Sequence, residues 1–145
     1  MPHLTSKVSS GRPLVDIYVG VSEARQKALE IAGKPVPPLQ GIRALIDTGA
    51  SHTCLDSQII RRLGLTPTGK VTSHTASSGA TPYMSDQYDV SINFPLGSLM
   101  RRFPGLPVIQ LELSVQGIDA LIGFDLLRNG ILILDGPADS FIVGF

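Results

Sequence analysis

In PLVDIYVG (13–20), Val15, Ile17 and Val19 alternate with Leu14, Asp16 and Tyr18, and this period of two predicts a strand closed by Gly20. The period then changes. Ala24, Ala28, Ile31 and Ala32 of SEARQKALEIAG fall on one helical face, with Ser22 placed to cap the start and Gly33 to stop the helix. KPVPPLQG (34–41) carries three prolines and reads as an irregular connector. IRALI (42–46) predicts a buried strand that delivers Asp47. Asp56 is placed to cap a second helix, with Ile59, Ile60 and Leu63 facing the core and Gly64 ending it before Pro67.

The middle of the chain is β in pattern. KVTSHTASSGATPYMSDQ (70–87) is polar and rich in Ser, Thr and Gly, and YDVSINF (88–94) puts Tyr88, Val90, Ile92 and Phe94 on one face. FPLGSLMRRFPGLP (94–107) reads as a long turn region. VIQLELSVQG (108–117) sets Ile109, Leu111, Leu113 and Val115 against Gln110, Glu112, Ser114 and Gln116, the signature of a half-buried strand. DALIGFDLLRNG (119–130) predicts a strand end, a glycine and a short helix, ILILD (131–135) a fully buried strand, GPAD a turn and SFIVGF (140–145) a last strand.

The length of 145 residues suits one domain, expected over 13–145 with a flexible N-terminal segment at 1–12. Lys+Arg and Asp+Glu are 12 each, so the basic excess that nucleic acids or anionic membranes attract is missing. One cysteine, Cys54, excludes an internal disulfide. MPHLTSKVSSGRP has no apolar signal core and no stretch is long enough to span a bilayer, so a cytoplasmic location is the default expectation. His3, His52 and His74 lack metal-ligand spacing, and no metal or cofactor is expected.

Candidate chemistry gathers at RALIDTGASHTCL (43–55). An apolar run that ends in a carboxylate must either satisfy that carboxylate or use it. Asp-Thr-Gly alone is a weak signal, matched by chance in a chain of this length at roughly the per-cent level. It gains weight here from the strand before it, the Ala-Ser after it and a second pattern, ALIGFDLL (120–127), some 70 residues later.

Together the two patterns resemble the retropepsin-type aspartic proteases, the single-lobe relatives of pepsin. The resemblance covers most of 13–145, and the extra strand DSFIVGF is closer to cellular and bacterial members than to the shortest viral ones. It implies a mainly β fold: a small closed β-barrel with short helices, paired as a homodimer whose final strands (131–145) interleave. The implied activity is aspartic endopeptidase, acting on an extended peptide or protein without a cofactor. Asp47 would be the catalytic residue and Thr48, Gly49 and Ala50 its support. With one such motif per chain, the second carboxylate would come from a second copy, and the two would share a proton. A flap over the pair is expected at 73–83, with Ser77, Ser78, Gly79 and Ala80 near its tip. Leu121, Ile122, Gly123 and Asp125 form the structural second signature, with Asp125 expected to cap a helix at 126–129.

Two departures accompany the likeness. Viral members commonly pair an Arg after the second-signature glycine with an acid past Asp-Thr-Gly-Ala; here those places hold Phe124 and Ser51/His52. The helix at 22–33 is an insertion relative to minimal members. Other readings are a capped surface turn at Asp47, a thiol nucleophile or metal pair at Cys54 with His52 or His74, a dimeric peptide-binding or assembly module of weak or no activity, and a protease limited to processing itself.

Overall fold

The computed structural model describes residues 1–73 and 83–145. Strand β1 (His3–Lys7) pairs antiparallel with the last strand of the chain, Leu4 opposite Val143, and Leu4 packs on the core. Within the segment 1–12, expected to be flexible, His3–Lys7 thus take strand pairing. HLTSK carries a single large apolar residue, and its partner lies at the far end of the sequence, so nothing local announces the pairing.

Strand β2 (Leu14–Val21) buries Val15, Ile17 and Val19 as its alternation predicts. Helix α1 (Glu23–Ile31) follows, and the Ser22 hydroxyl accepts from the Arg25 N–H at 3.2 Å, the expected cap. The helix buries none of its residues. Its Ala24, Ala28 and Ile31 face is exposed, Ile31 to 89%. A capped start and the exposed Glu23–Lys27 and Gln26–Glu30 pairs support it, rather than a core-facing stripe.

Strand β3 (Gln40–Ile46) leads to Asp47, and β4 (Cys54–Asp56) runs into α2 (Ser57–Arg62), which Asp56 caps through the Gln58 N–H at 3.0 Å. Ile59, Ile60 and Leu63 are buried, as expected. Strand β5 (Gly69–Ser73) pairs with β6 (Tyr83–Leu96), and β6 turns through Gly97-Ser98 into β7 (Leu99–Leu111). The region read as a long turn is therefore a hairpin whose turn has two residues, with Gly97 at φ 66°. Pro95, Pro104 and Pro107 suggested irregular chain; a strand accepts proline where no ladder hydrogen bond needs its nitrogen.

Strand β7 also ends earlier than its alternation suggests. The buried Asp56 carboxylate takes the N–H groups of Leu113 and Ser114 at 2.7 and 3.0 Å, turning the chain into a 3₁₀ helix (Ser114–Gln116) that leaves Val115 87% exposed. Strand β8 (Ala120–Ile122), helix α3 (Phe124–Leu127), β9 (Ile131–Asp135) and β10 (Ser140–Gly144) complete the chain.

Seven strands join in the order β2-β3-β8-β4-β7-β6-β5, and a further β2–β6 pairing closes six of them into a barrel, with β5 as an outer arm. Val19, Ala44, Val90, Phe94 and Ile122 fill its interior. The other sheet has the order β1-β10-β9. Strand β10 sits in its middle and buries Phe141 and Val143. Strand β9 is an edge, and the expectation of a fully buried ILILD fails: Ile131, Ile133 and Leu134 are 44%, 51% and 65% exposed. A continuous apolar run does not by itself say whether its cover lies in the same chain.

Candidate active site

Asp47 is positioned by two parallel strands. β3 lies beside β8 with Ala44, Leu45 and Ile46 opposite Ala120, Leu121 and Ile122, and the next step of the ladder joins the Asp47 N–H to the Ile122 carbonyl at 3.0 Å. The chain then turns. The Asp47 Oδ1 accepts from the Gly49 N–H at 3.0 Å, and its carbonyl accepts from the Ala50 N–H at 3.2 Å. A Cβ on Gly49 would stand 3.2 Å from that same Oδ1, so glycine keeps the amide close to the carboxylate. Asp47 and Ala50 are half-buried within the chain, and Thr48 and Gly49 are exposed.

The second signature clamps this loop. The Phe124 N–H donates to the Ala50 carbonyl at 2.8 Å and the Asp125 N–H to the Ser51 carbonyl at 3.3 Å. Gly123 is the contact point: a Cβ there would lie 2.5 Å from the carbonyl carbon of His52 and 2.8 Å from the Thr53 nitrogen. Those are backbone atoms and cannot rotate away. Gly123→Ala is expected to cost about 3 kcal/mol of stability, read from urea unfolding. Gly136→Ala, at a site with nothing within 4 Å of the added carbon, should change little.

Asp125 does not cap the helix as expected; the capping position belongs to Gly123. Asp125 sits in the first turn and reaches back to β4. The Thr53 N–H donates to both its oxygens at 3.0 Å, and the Thr53 hydroxyl donates to Oδ1 at 2.7 Å. That hydroxyl in turn accepts from the Gly123 N–H at 3.1 Å, and the Leu126 N–H donates to Asp125 at 2.8 Å. Thr53 was missed in the sequence. Its only signal is a small hydroxyl residue before an apolar strand, which is uninformative without the fold.

Leu45 and Leu121 are paired neighbours on the alternate face of their strands, away from the barrel interior. With Cys54, Ile109, Leu113 and Ile118 they form a second apolar cluster, on the face along which Asp47 follows Leu45. Cys54 is buried in it, and its thiol donates to the His52 carbonyl at 3.3 Å. Burial, reinforced by the Asp125 and Asp47 charges, pushes this thiol up to about 12. It stays protonated at any physiological pH and is a packing group rather than a nucleophile. Among the described residues no group of three or more His, Cys, Asp or Glu is arranged to hold a metal ion, and no helix is long and apolar enough to cross a membrane. β5 and β6 pair as far as Ser73 opposite Tyr83; Ser77, Ser78, Gly79 and Ala80, named for the flap, lie outside the described residues.

A family model described as aspartyl protease matches residues 28–126. Among solved structures, a retropepsin-like aspartic protease from Rickettsia conorii is similar at 17% identity and a TM-score of 0.62, over 97% of this chain and 89% of that one. The retroviral protease-like domain of Ddi1 from Leishmania major aligns at 13% identity with a TM-score of 0.44, over 91% and 93% of the two chains. No curated protein sequence matches. The barrel agrees with the retropepsin-like fold, and with more than half of its length matched by the family model the chain belongs to the aspartyl protease family.

Proposed function

We propose that the protein is an aspartic endopeptidase whose active site forms between two copies of the chain, with Asp47 facing Asp47 of the partner subunit. The observation that carries this reading is the Asp47 loop itself: a single Asp-Thr-Gly, held at the end of β3 by the Ile122 carbonyl and the Gly49 amide and locked from behind by Gly123. One such loop is half of a carboxylate pair.

Two carboxylates in contact cannot both ionise, so the pair holds one proton. The ionised member takes a proton from a water, which attacks the peptide carbonyl while the protonated member donates to the carbonyl oxygen; the resulting diol then collapses, breaking the C–N bond as one carboxyl passes a proton to the leaving nitrogen and the other carboxylate takes one back from a diol hydroxyl. No covalent intermediate forms. In this reading exposed Thr48 would reach across the twofold axis, and half-buried Leu45 and Leu121 would offer apolar contact to a substrate side chain beside Asp47. The catalytic unit is taken as residues 13–145, with β1 added to its terminal sheet. The flap role of 73–83 rests on the family resemblance.

The dimer surface supported best is the β9 edge with Phe124. Both edges of β10 are occupied within the chain, by β1 and β9, so no strand of a second copy inserts beside it without breaking a ladder. Among the described residues β9 has one edge without a partner strand, and it carries no Lys or Pro to blunt it. Phe124, where viral members place an ion pair, is 55% exposed next to the Asp47 loop.

Digestion of a broad peptide library, read by mass spectrometry across pH, tests the activity. The expected result is cleavage of many peptides, with a bell-shaped profile peaking below neutral and no loss on thiol alkylation or chelation. Absence of any cleavage, or activity rising through about pH 8–9 as for a thiolate or metal hydroxide, would reject the proposal.

A further inference from the structure

We propose that the inserted helix and its proline-rich connector roof a binding site for a small aliphatic carboxylate, on the outer face of the barrel and away from Asp47. The first observation is a misplaced burial. Along β6, Val90, Ile92 and Phe94 point into the barrel, so Ser91 and Asn93 point outward. Outward polar residues belong in water, yet these are only 1% and 8% exposed. What covers them is α1, through Gln26, and the connector after it, through Val36, Pro37 and Leu39.

The cover does not close on them. A cavity of about 280 Å³ remains, with Ser91 and Asn93 in its lining and Arg102 beside them, opposite Asn93 on β7. Among the described residues neither the Ser91 hydroxyl, the Asn93 amide nor the Arg102 guanidinium makes a hydrogen bond or ion pair to protein. Among the described residues the Ser85 hydroxyl is the buried side-chain polar atom without a partner; the Ser91 and Asn93 polar groups instead open onto the cavity, where its contents meet them. Val21, Val36, Pro37 and Leu39 give the wall an apolar side, and Gln26 of α1 completes it with a second amide, whose N–H donates to Glu30. Gly20 leaves room for the Leu39 side chain, whose tip would lie 2.6 Å from a Cβ there, with the Ser91 hydroxyl at 3.1 Å.

The chemistry of the lining selects the ligand. It offers a guanidinium at the exposed side, the Asn93 and Gln26 amides and the Ser91 hydroxyl, an aliphatic side, and no Asp or Glu. An anion with a short branched apolar body satisfies all of these, and Arg102 suits a carboxylate in particular because its fork matches two oxygens. The volume holds roughly ten non-hydrogen atoms at protein packing density. Such a group is either a free aliphatic acid or the C-terminal residue of a peptide.

The test is binding, so it stands or falls separately from peptide hydrolysis by Asp47. Titrating the whole chain with 4-methylpentanoate, followed by amide NMR, should give saturable shifts centred on Gly20, Ser91 and Asn93. The uncharged 4-methylpentanamide should bind about tenfold more weakly, the value of one charge-assisted contact. Arg102→Gln, at an exposed position, should weaken the acid about tenfold and leave the amide unchanged. Asn93→Leu should abolish binding of both, since it removes the amide that faces the cavity. An acetylated tetrapeptide ending in a free leucine, titrated alongside, identifies the source: binding assigns a peptide C-terminus, and its failure beside a binding free acid assigns the small molecule. No saturable shift at millimolar acid, equal affinity for acid and amide, or an Arg102→Gln variant that binds the acid as wild type does would each overturn the site.

Discussion

Asp47→Asn is expected to lower peptide hydrolysis by about a thousandfold or more while the chain folds and assembles as before. Asn preserves the size of the side chain and its oxygen, so the bond from the Gly49 amide that shapes the loop survives. What is lost is the ability to ionise and share a proton. Because one gene product supplies both halves of the proposed pair, a single substitution removes both carboxylates. The measurement is turnover of a cleaved library peptide by the variant, with circular dichroism and sedimentation as controls. Turnover within tenfold of wild type would end the assignment of Asp47. Asp125→Asn is the informative contrast. Its carboxylate accepts from Thr53 and Leu126, and an amide group turned toward those donors costs about 1–2 kcal/mol of stability. The folded fraction of that variant should still cleave.

The second large effect is on assembly. A monomer would carry half an active site, so specific activity should fall as the protein is diluted through its dimer dissociation constant. Ile133→Lys should raise that constant about a hundredfold, because it puts a charge on the open β9 edge that pairing would bury. Ile133 is half exposed in the single chain, so the variant should remain folded. Adding Asp47→Asn chains to wild type should poison activity, since each mixed dimer lacks one carboxylate. Deleting β10 is the wrong test. Phe141 and Val143 lie in the core, and the Phe145 ring meets Phe94 edge-on at 5.1 Å, so the deletion removes fold and interface together. Sedimentation and hydrolysis over one concentration series decide the matter. A monomer of constant specific activity at every dilution would rule out the two-chain site.

The candidate site was legible to different depths. Asp47, Thr48 and Gly49 stand out because turn chemistry and a catalytic carboxylate are written in adjacent residues, and adjacent residues constrain one another through a few backbone angles. The same holds for the Ser22 and Asp56 caps, each of which reaches an N–H two or three residues ahead. Gly123 could be flagged as part of a pattern, but not explained. The reason for a glycine there is the backbone of His52 and Thr53, some 70 residues away. The Thr53–Asp125 bond, which ties the two signatures together, has no local trace at all.

Alone, then, the sequence determined the mainly β character, the starts of α1 and α2, the alternation of β2 and the inner face of β6, and the Asp-Thr-Gly loop with its partner signature. All of these depend on residues within one turn or a few strand positions of each other, where propensity and period act directly. Tertiary structure alone decided that His3–Lys7 join a sheet, that 94–107 is a hairpin, and that β7 stops where Asp56 captures its next two amides. It also decided that Ser91 and Asn93 are roofed over and that ILILD is an open edge. In each case the deciding partner is remote in sequence or belongs to a face whose cover the residue cannot specify. Hydrophobic pattern says that a side chain seeks burial, while only the assembled chain says what buries it.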